Sequence, residues 1–561
     1  MRRPPPLLLL FFLASCLPAR AQQPDSAAVK KRDEASISGT VVTLAGSEPL
    51  RKARVLVQGT VDRMRMISAT TDPGGRFEIK GLQPGPYQLT VSRVGYVTQK
   101  YGQRKPTDPG ATLTLRPTQE LRDLQFRMIP CAVIAGRVLD EDGEPLPSVS
   151  VSALRETYDK GKRNLVAGAS AETNDLGEYR LFGLAPGRYF VSARQENWRR
   201  GVDAGEEQAQ SSSQGYARMY YPGVADRSRA SSIAIKSGEE IPSIEILMRQ
   251  VLVYHIRGHV FNQVTHRPGA DSYILLLPKT PSQQGDFADS FTMVQKRDGS
   301  FDIHDVLPGS YIVTSFWSDQ GKNYLARVPV EVGNADVDGI SLNITPGAPL
   351  NGRVMWDGQP ALDKDDLSIQ LGTVDNSLVF HAPARVSSDG SFSIPDVSDG
   401  SFNVVTFGES EDCYIKDIVY AGRAALEEGF NFARGSAALL EITISSRGAR
   451  VQGTVTDEDG LPAPGVYVAL VPDTEARRAR HRFYKSITTD QYGHFDLRGI
   501  APGDYLLFSW TEIEEGAWED PDFMKEFIEK KKGESVSVQE GDTKSKNLVA
   551  IKNATTEQPK Q

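Results

Sequence analysis

Apolar and polar residues alternate in short runs along almost the whole chain. Five runs share one form: Ile37-Ser38-Gly39-Thr40-Val41, Ile134-Ala135-Gly136-Arg137-Val138, Ile256-Arg257-Gly258-His259-Val260, Leu350-Asn351-Gly352-Arg353-Val354 and Val451-Gln452-Gly453-Thr454-Val455. Period-two alternation predicts a strand with one buried face. Glycine weakens a strand, so its recurrence at the centre predicts a bend or a close backbone approach. Some 46 to 51 residues after each glycine a second signature returns. It reads Leu82-Gln83-Pro84-Gly85-Pro86-Tyr87, Leu184-Ala185-Pro186-Gly187-Arg188-Tyr189, Val306-Leu307-Pro308-Gly309-Ser310-Tyr311, Val397-Ser398-Asp399-Gly400-Ser401-Phe402 and Ile500-Ala501-Pro502-Gly503-Asp504-Tyr505. Such self-similarity means one supersecondary unit copied in tandem.

Within a copy the elements follow one another at turn signals. After the opening strand comes a turn such as Asp140-Glu141-Asp142-Gly143 or Asp457-Glu458-Asp459-Gly460, then a second strand marked by Pro145-Leu146-Pro147 or Pro462-Ala463-Pro464. Asp72 to Gly75, Asn174 to Gly177, Asp298-Gly299, Asp389-Gly390 and Asp490 to Gly493 precede the next strand, where glycine supplies the positive φ of a tight turn. The Pro-Gly turn leads into an aromatic-headed strand. The recurring Tyr is predicted to anchor the core with its hydroxyl meeting backbone at the corner. An alternating strand closes each copy, as in Leu124, Phe126, Met128 or Leu440, Ile442, Ile444. Many short strands separated by Gly/Pro turns predict an all-β fold of five antiparallel Ig-like sandwiches. The exception is in copy five. Asp520-Pro521-Asp522 followed by Phe523, Phe527 and Ile528 predicts a short inserted helix, capped by Asp520 and ending near Gly533.

The G-x-V opening, the D-x-x-G-x-F turn and the L-x-P-G-x-Y turn together resemble the carboxypeptidase regulatory-like domain family. Copy four departs most, with Asp399-Gly400 for Pro-Gly and Phe402 for Tyr. The resemblance implies a transthyretin-like sandwich grouped with carbohydrate-binding-like folds, and an accessory or binding module without catalytic residues. The predicted organisation is a signal peptide 1–21, a polar linker 22–36, sandwiches 37–130, 134–250, 256–346, 350–446 and 451–552, and a disordered tail 553–561, arranged as a rod or chain.

Composition adds location. Arg2 and Arg3, the apolar Leu7 to Leu13 and the Ala19-Arg20-Ala21 site read as a secretory signal cleaved before Gln22. Leu13-Ala14-Ser15-Cys16 is an alternative lipobox that would anchor the chain through Cys16. No later run is long enough to span a bilayer as a helix. Removing residues 1–21 leaves 61 basic against 72 acidic residues, net −11, which disfavours a nucleic-acid partner. Cys131 and Cys413 fall in different copies and predict two small buried hydrophobes rather than a disulfide. The chain therefore reads as exported: secreted, or associated with the periplasm or outer membrane.

Chemistry is sparse. The seven His residues start no zinc motif, and neither a nucleophile elbow nor a phosphate loop occurs. No catalytic residue, metal or cofactor is predicted. The aromatic residues are the one feature that fits a ligand. Phe316, Phe407 and Trp510 lie five positions after the turn aromatic, on the opposite strand face, with Trp317 adjacent and Trp198 just beyond the matching strand of copy two. They stack on a sugar if exposed and pack if covered, and the copy-five helix is expected to cover Trp510. The predicted structural turn residues are Gly85, Tyr87, Gly187, Tyr189, Gly309, Tyr311, Gly503 and Tyr505. The sequence thus predicts a non-enzymatic binding or scaffolding protein whose partner is a polysaccharide or another envelope protein. Carbohydrate binding is the second reading, and an accessory to a hydrolase or outer-membrane transporter the third. The inserted loop 201–213 is the least repeat-like segment, where function often sits.

Overall fold

The computed structural model describes residues 34–552, apart from 61–65, 104, 107, 196–213, 280–289, 295, 320–321, 360–366 and 374–380. The signal, most of the linker, the tail, Trp198 and the loop 201–213 lie outside the described residues.

The chain is all-β, and each copy supplies two facing sheets. In copy one the opening strand Ala35–Thr43 lies between Arg76–Leu82 and Glu120–Met128 in one sheet. Arg54–Gly59, between Met66–Thr70 and Gly85–Ser92, forms the centre of the other. Copies two to five repeat this order with strand additions at the edges. Five apolar clusters fill the spaces between facing sheets, each built mainly from one copy, for example Ile37, Val41, Phe77, Tyr87 and Leu89 in copy one.

One pairing departs from the antiparallel expectation: opening and closing strands run parallel in every copy. Parallel neighbours need a long crossover, and here the whole second sheet serves as that connection. The parallel partner explains the central glycine. A Cβ on Gly39, Gly136, Gly258, Gly352 or Gly453 would collide with the carbonyl oxygen of Leu124, Ile244, Ile340, Leu440 or Lys546 respectively. A second glycine completes the lock. The N–H of Val41, Val138, Val260, Val354 and Val455 donates to the carbonyl of Gly75, Gly177, Gly299, Gly390 and Gly493, at 2.7 to 2.9 Å. Each of these turn glycines has φ between 68° and 87° and leaves no room for a side chain against the same valine's carbonyl.

A bulge recurs beyond these motifs. Gly81, Gly183, Asp305, Asp396 and Gly499 all have positive φ, and the pairing register with the opening strand shifts beside each of them.

The copy-five helix spans Pro521–Glu529, with the Asp520 carboxylate accepting from the N–H of Asp522 at 2.9 Å. It stops before Gly533, because Lys531 turns into the left-handed region. Gly533 is needed elsewhere: a side chain there would strike the Phe508 ring.

The copies do not extend as a rod. Copy four meets copy five where the carbonyls of Glu411 and Cys413 abut Gly499 and Tyr414 Oη donates to Glu540 at 3.0 Å. Copy five then returns to copy one. Gln491 exchanges two hydrogen bonds with the Thr114 backbone, at 2.8 and 3.0 Å, and Thr112 bridges Asp490. It also touches copy two, where Tyr158 packs on Phe523 and Arg163 pairs with Asp520 at 3.5 Å. Copy five therefore touches copies one and two as well as copy four, which a straight rod would not allow. The copy-five insertion supplies Phe523 and Asp520 to copy two, while Asp490 and Gln491, on a turn outside it, meet copy one.

Candidate functional site

The strand that follows each Pro-Gly corner has two faces. Its inner face begins with the corner aromatic, which is buried in all five copies. The hydroxyls of Tyr87, Tyr189, Tyr311 and Tyr505 donate to the carbonyls of Gln83, Ala185, Leu307 and Ala501, at 2.7 to 3.0 Å. Each closes the Pro-Gly turn four residues behind it, and Gly85, Gly187 and Gly503 take positive φ inside that turn. Gly309 instead lies against the ring of its own Tyr311. Phe402 keeps the ring without the bond. In copy five Arg477 adds a contact that sequence reasoning missed: its guanidinium donates to Tyr505 Oη at 3.1 Å and lies 4.3 Å from the Phe483 ring centre.

The outer face carries the aromatic row. In copy three Met293, Tyr273, Phe316 and Leu325 are successive cross-strand partners over four strands. Tyr273 and Phe316 stack with centroids 5.1 Å apart and planes 20° apart. Tyr273 is 37% exposed and Met293 40%. In copy five the same row contains Tyr467 opposite Trp510, but it is sealed. Trp510 is 0% exposed, stacked on Phe508 at 5.2 Å and met edge-on by Phe527, while Tyr467 packs against Trp518 at 4.9 Å. In copy four Phe407 stands 47% exposed opposite Ser368, next to an exposed Val405.

These placements divide the candidate stacking residues. Trp510 has no free face: it is enclosed by Phe508 and Phe527. Trp317 points the other way from Phe316, lies 5.5 Å from buried Tyr324 and packs on the copy-three core, which removes it from the outer row. Phe407 remains exposed and Phe316 half-buried, in different copies. Tyr273, Met293 and Leu325 were missed. The unbroken apolar run Ile274–Leu277 was the available signal, since it marks a strand apolar on both faces. Tyr273 and Phe316 turn one face to each other and lie between Met293 and Leu325 in the cross-strand order.

Among the described residues, no group of three or more His, Cys, Asp or Glu is placed to hold a metal. No described helix is long and apolar enough to cross a membrane. Cys413 is buried and Cys131 partly so, and burial pushes both thiols above their ordinary value.

Comparison with known proteins agrees with the repeat signatures in the first two copies. The model of the carboxypeptidase regulatory-like domain matches residues 36–128 and 133–217, two copies in tandem. No curated protein matches the chain. Among solved structures, the Bacillus anthracis TIE protein is 12% identical over 55% of this chain and 51% of its own, with a TM-score of 0.16. This chain thus spans about half the length of that protein. BcpA, the major pilin subunit of Bacillus cereus, is 10% identical over 56% of this chain and 100% of its own, with a TM-score of 0.14. GBS52, the minor pilin of Streptococcus agalactiae, is 13% identical over 39% of this chain and 96% of its own, with a TM-score of 0.22. TM-scores this low support no conclusion about role.

Proposed function

We propose that this is an exported bacterial protein of five carboxypeptidase regulatory-like, transthyretin-like sandwiches, bounded as the repeats predict, that acts without catalysis as a scaffold. Its partner in this reading is another protein of the envelope or cell exterior. One observation supports it above all: every recurring signature residue is spent on architecture. The glycines admit carbonyls, the valines lock turns, and the tyrosine hydroxyls close corners. What the chain has copied five times is a structure and not a reactive constellation.

Export is checked by the mass of the mature protein. Chain beginning at Gln22 is the expected product. A lipid-modified N-terminal Cys16 would replace the free scaffold with an anchored one.

The second reading, carbohydrate binding, rests on the partly exposed Tyr273–Phe316 row. Affinity electrophoresis of residues 22–561 in gels containing acidic or neutral polysaccharide separates the two. The scaffold reading expects no retardation for the parent protein or for Phe316→Ala. Retardation that Phe316→Ala or Tyr273→Ala abolishes, with the thermal melt unshifted, would make this face a sugar site.

A further inference from the structure

Copy four differs from the others in its first sheet. Its closing strand Leu440–Ser445 is flanked on the far side by an extra antiparallel strand, Tyr414–Tyr420. In every other copy the closing strand is the last of its sheet among the described residues. The loop entering the extra strand lies against copy five. A Cβ on Gly499 would meet the carbonyl oxygens of Glu411 and Cys413, each at 2.5 Å, and the Gly448 N–H donates to the Asp412 carbonyl at 3.0 Å. The equivalent bulge glycines are open: Gly183 has nothing within 4 Å of such an atom, and Gly81 only the Glu34 carboxylate at 3.8 Å. A position left bare in copies one and two is therefore a seat in copy five.

Copy five answers with Glu540, which stands in the turn between Glu534–Val538 and Thr543–Ser545. Gly541 at φ 77° shapes that turn, and the Asp542 carboxylate accepts from the Gln539 N–H at 3.0 Å. One carboxylate oxygen of Glu540 accepts from Tyr414 Oη at 3.0 Å and from Ser445 Oγ, and lies 3.4 Å from Lys416 Nζ. The other lies 3.1 Å from Arg447, in the linker. Asp357 of copy four completes the group, pairing with Lys416 and, at 2.8 Å, with Arg447. Beside the side chain, the Gly541 N–H donates to the Arg447 carbonyl at 2.7 Å. Isolated surface ion pairs contribute little. Here, however, Ser445 is fully buried, so loss of the carboxylate would deprive a buried hydroxyl of its acceptor. The hydrogen bond from Ser445 first, then that from Tyr414 and the charges of Arg447 and Lys416, hold the Glu540 carboxyl below the ordinary glutamate range.

We propose that Glu540 is a latch that joins copies four and five into one cooperative unit, with the extra strand of copy four as its receiver. Tyr414 and Glu540 are 126 positions apart, and each belongs to the periphery of its own sandwich. Neither contact is needed to fill a core, so what the carboxylate stabilises is the junction. The extra strand has one neighbour in its own sheet besides its short hairpin partner, the closing strand that carries Ser445. Anchoring both strands to copy five ties the edge of copy four to its neighbour. The latch goes beyond the scaffold reading and holds whatever the partner of the scaffold is.

Hydrogen exchange of the full chain, read by mass spectrometry, tests the latch. Glu540→Ala is expected to speed exchange about tenfold over 408–420 in copy four as well as over 446–452 and 534–545, and to leave copies one to three at parent rates. Tyr414→Phe, which removes one hydroxyl, is expected to speed the same segments by less. The combined variant is expected to match Glu540→Ala, because both changes remove one shared contact. Glu534→Ala, whose carboxylate lies 4.0 Å from Lys546 of its own copy, is the control and is expected to leave 408–420 at the parent rate. A Glu540→Ala effect confined to copy five would overturn the proposal. So would effects of Tyr414→Phe and Glu540→Ala that add in full.

Discussion

Gly136→Ala is expected to unfold the second copy's first sheet or shift its closing strand, with a loss of about 3 kcal/mol or more. The added methyl would fall inside the Ile244 carbonyl, and that carbonyl is not free to retreat. Ile244 begins the paired stretch Ile244–Leu247, whose residues lie beside Gly136–Leu139 in parallel register. The same carbonyl accepts from Tyr179 Oη at 2.8 Å. Moving it breaks the tyrosine bond and the ladder together. Gly143→Ala is the control. It sits in a turn with φ 82° and nothing within reach of a new Cβ, so only backbone strain opposes it, about 1 kcal/mol. Chemical denaturation of the two variants, followed by tyrosine fluorescence, checks the contrast. Equal losses would mean that the opening glycine serves the strand's conformation alone and not the approach of its neighbour.

Trp510→Ala is expected to cost about 3–5 kcal/mol, in the range of a deleted buried aromatic. The ring touches Phe508 on one side and Phe527 on the other, so its removal leaves a cavity between the sheet and the helix Pro521–Glu529. The damage should reach beyond copy five, because Phe523 of that helix carries the Tyr158 contact with copy two. Near-ultraviolet dichroism should lose the Trp510 band, and protease should cut within 511–533 faster than in the parent. Phe316→Ala occupies the equivalent place in the open row of copy three and should cost far less, since its ring gives up part of its surface to solvent. A Trp510→Ala protein as stable as the parent would mean that the cap is held by its polar contacts and that the sealed row is incidental.

The carbohydrate-binding reading turns on a difference visible in these two residues. One position, five beyond the corner aromatic, holds a sealed Trp in copy five, a half-buried ring in copy three and an exposed ring in copy four. Alternation predicts the face correctly in each case. It says nothing of what lies above that face, because a covering segment comes from elsewhere in the chain. For Trp510 the amphipathic stripe of Phe523 and Phe527 was legible as a cover. For Phe316 no such stripe exists, and its partners Tyr273 and Leu325 arrive through pairing register, which two strands settle only when they meet.

What the sequence determined by itself is local. Period-two runs, Pro-Gly corners and Asp-led turns specify strands and their order, because side-chain direction and positive φ depend on residues a few positions apart. The corner tyrosines belong here, since each bonds a carbonyl only four residues away. The central glycine was legible as a close approach but not as an approach to a parallel strand, because the Ile244 carbonyl lies 108 positions beyond Gly136. The recurring bulge was half concealed, with Asp305 and Asp396 standing where the other copies have glycine. The return of copy five to copy one was hidden entirely. Gln491 and Thr114 are 377 residues apart and belong to no motif, and neither residue type announces a partner. Only the tertiary structure could decide that contact, because it depends on the summed geometry of five sandwiches and their linkers, and small rotations at each linker determine whether the last copy meets the first.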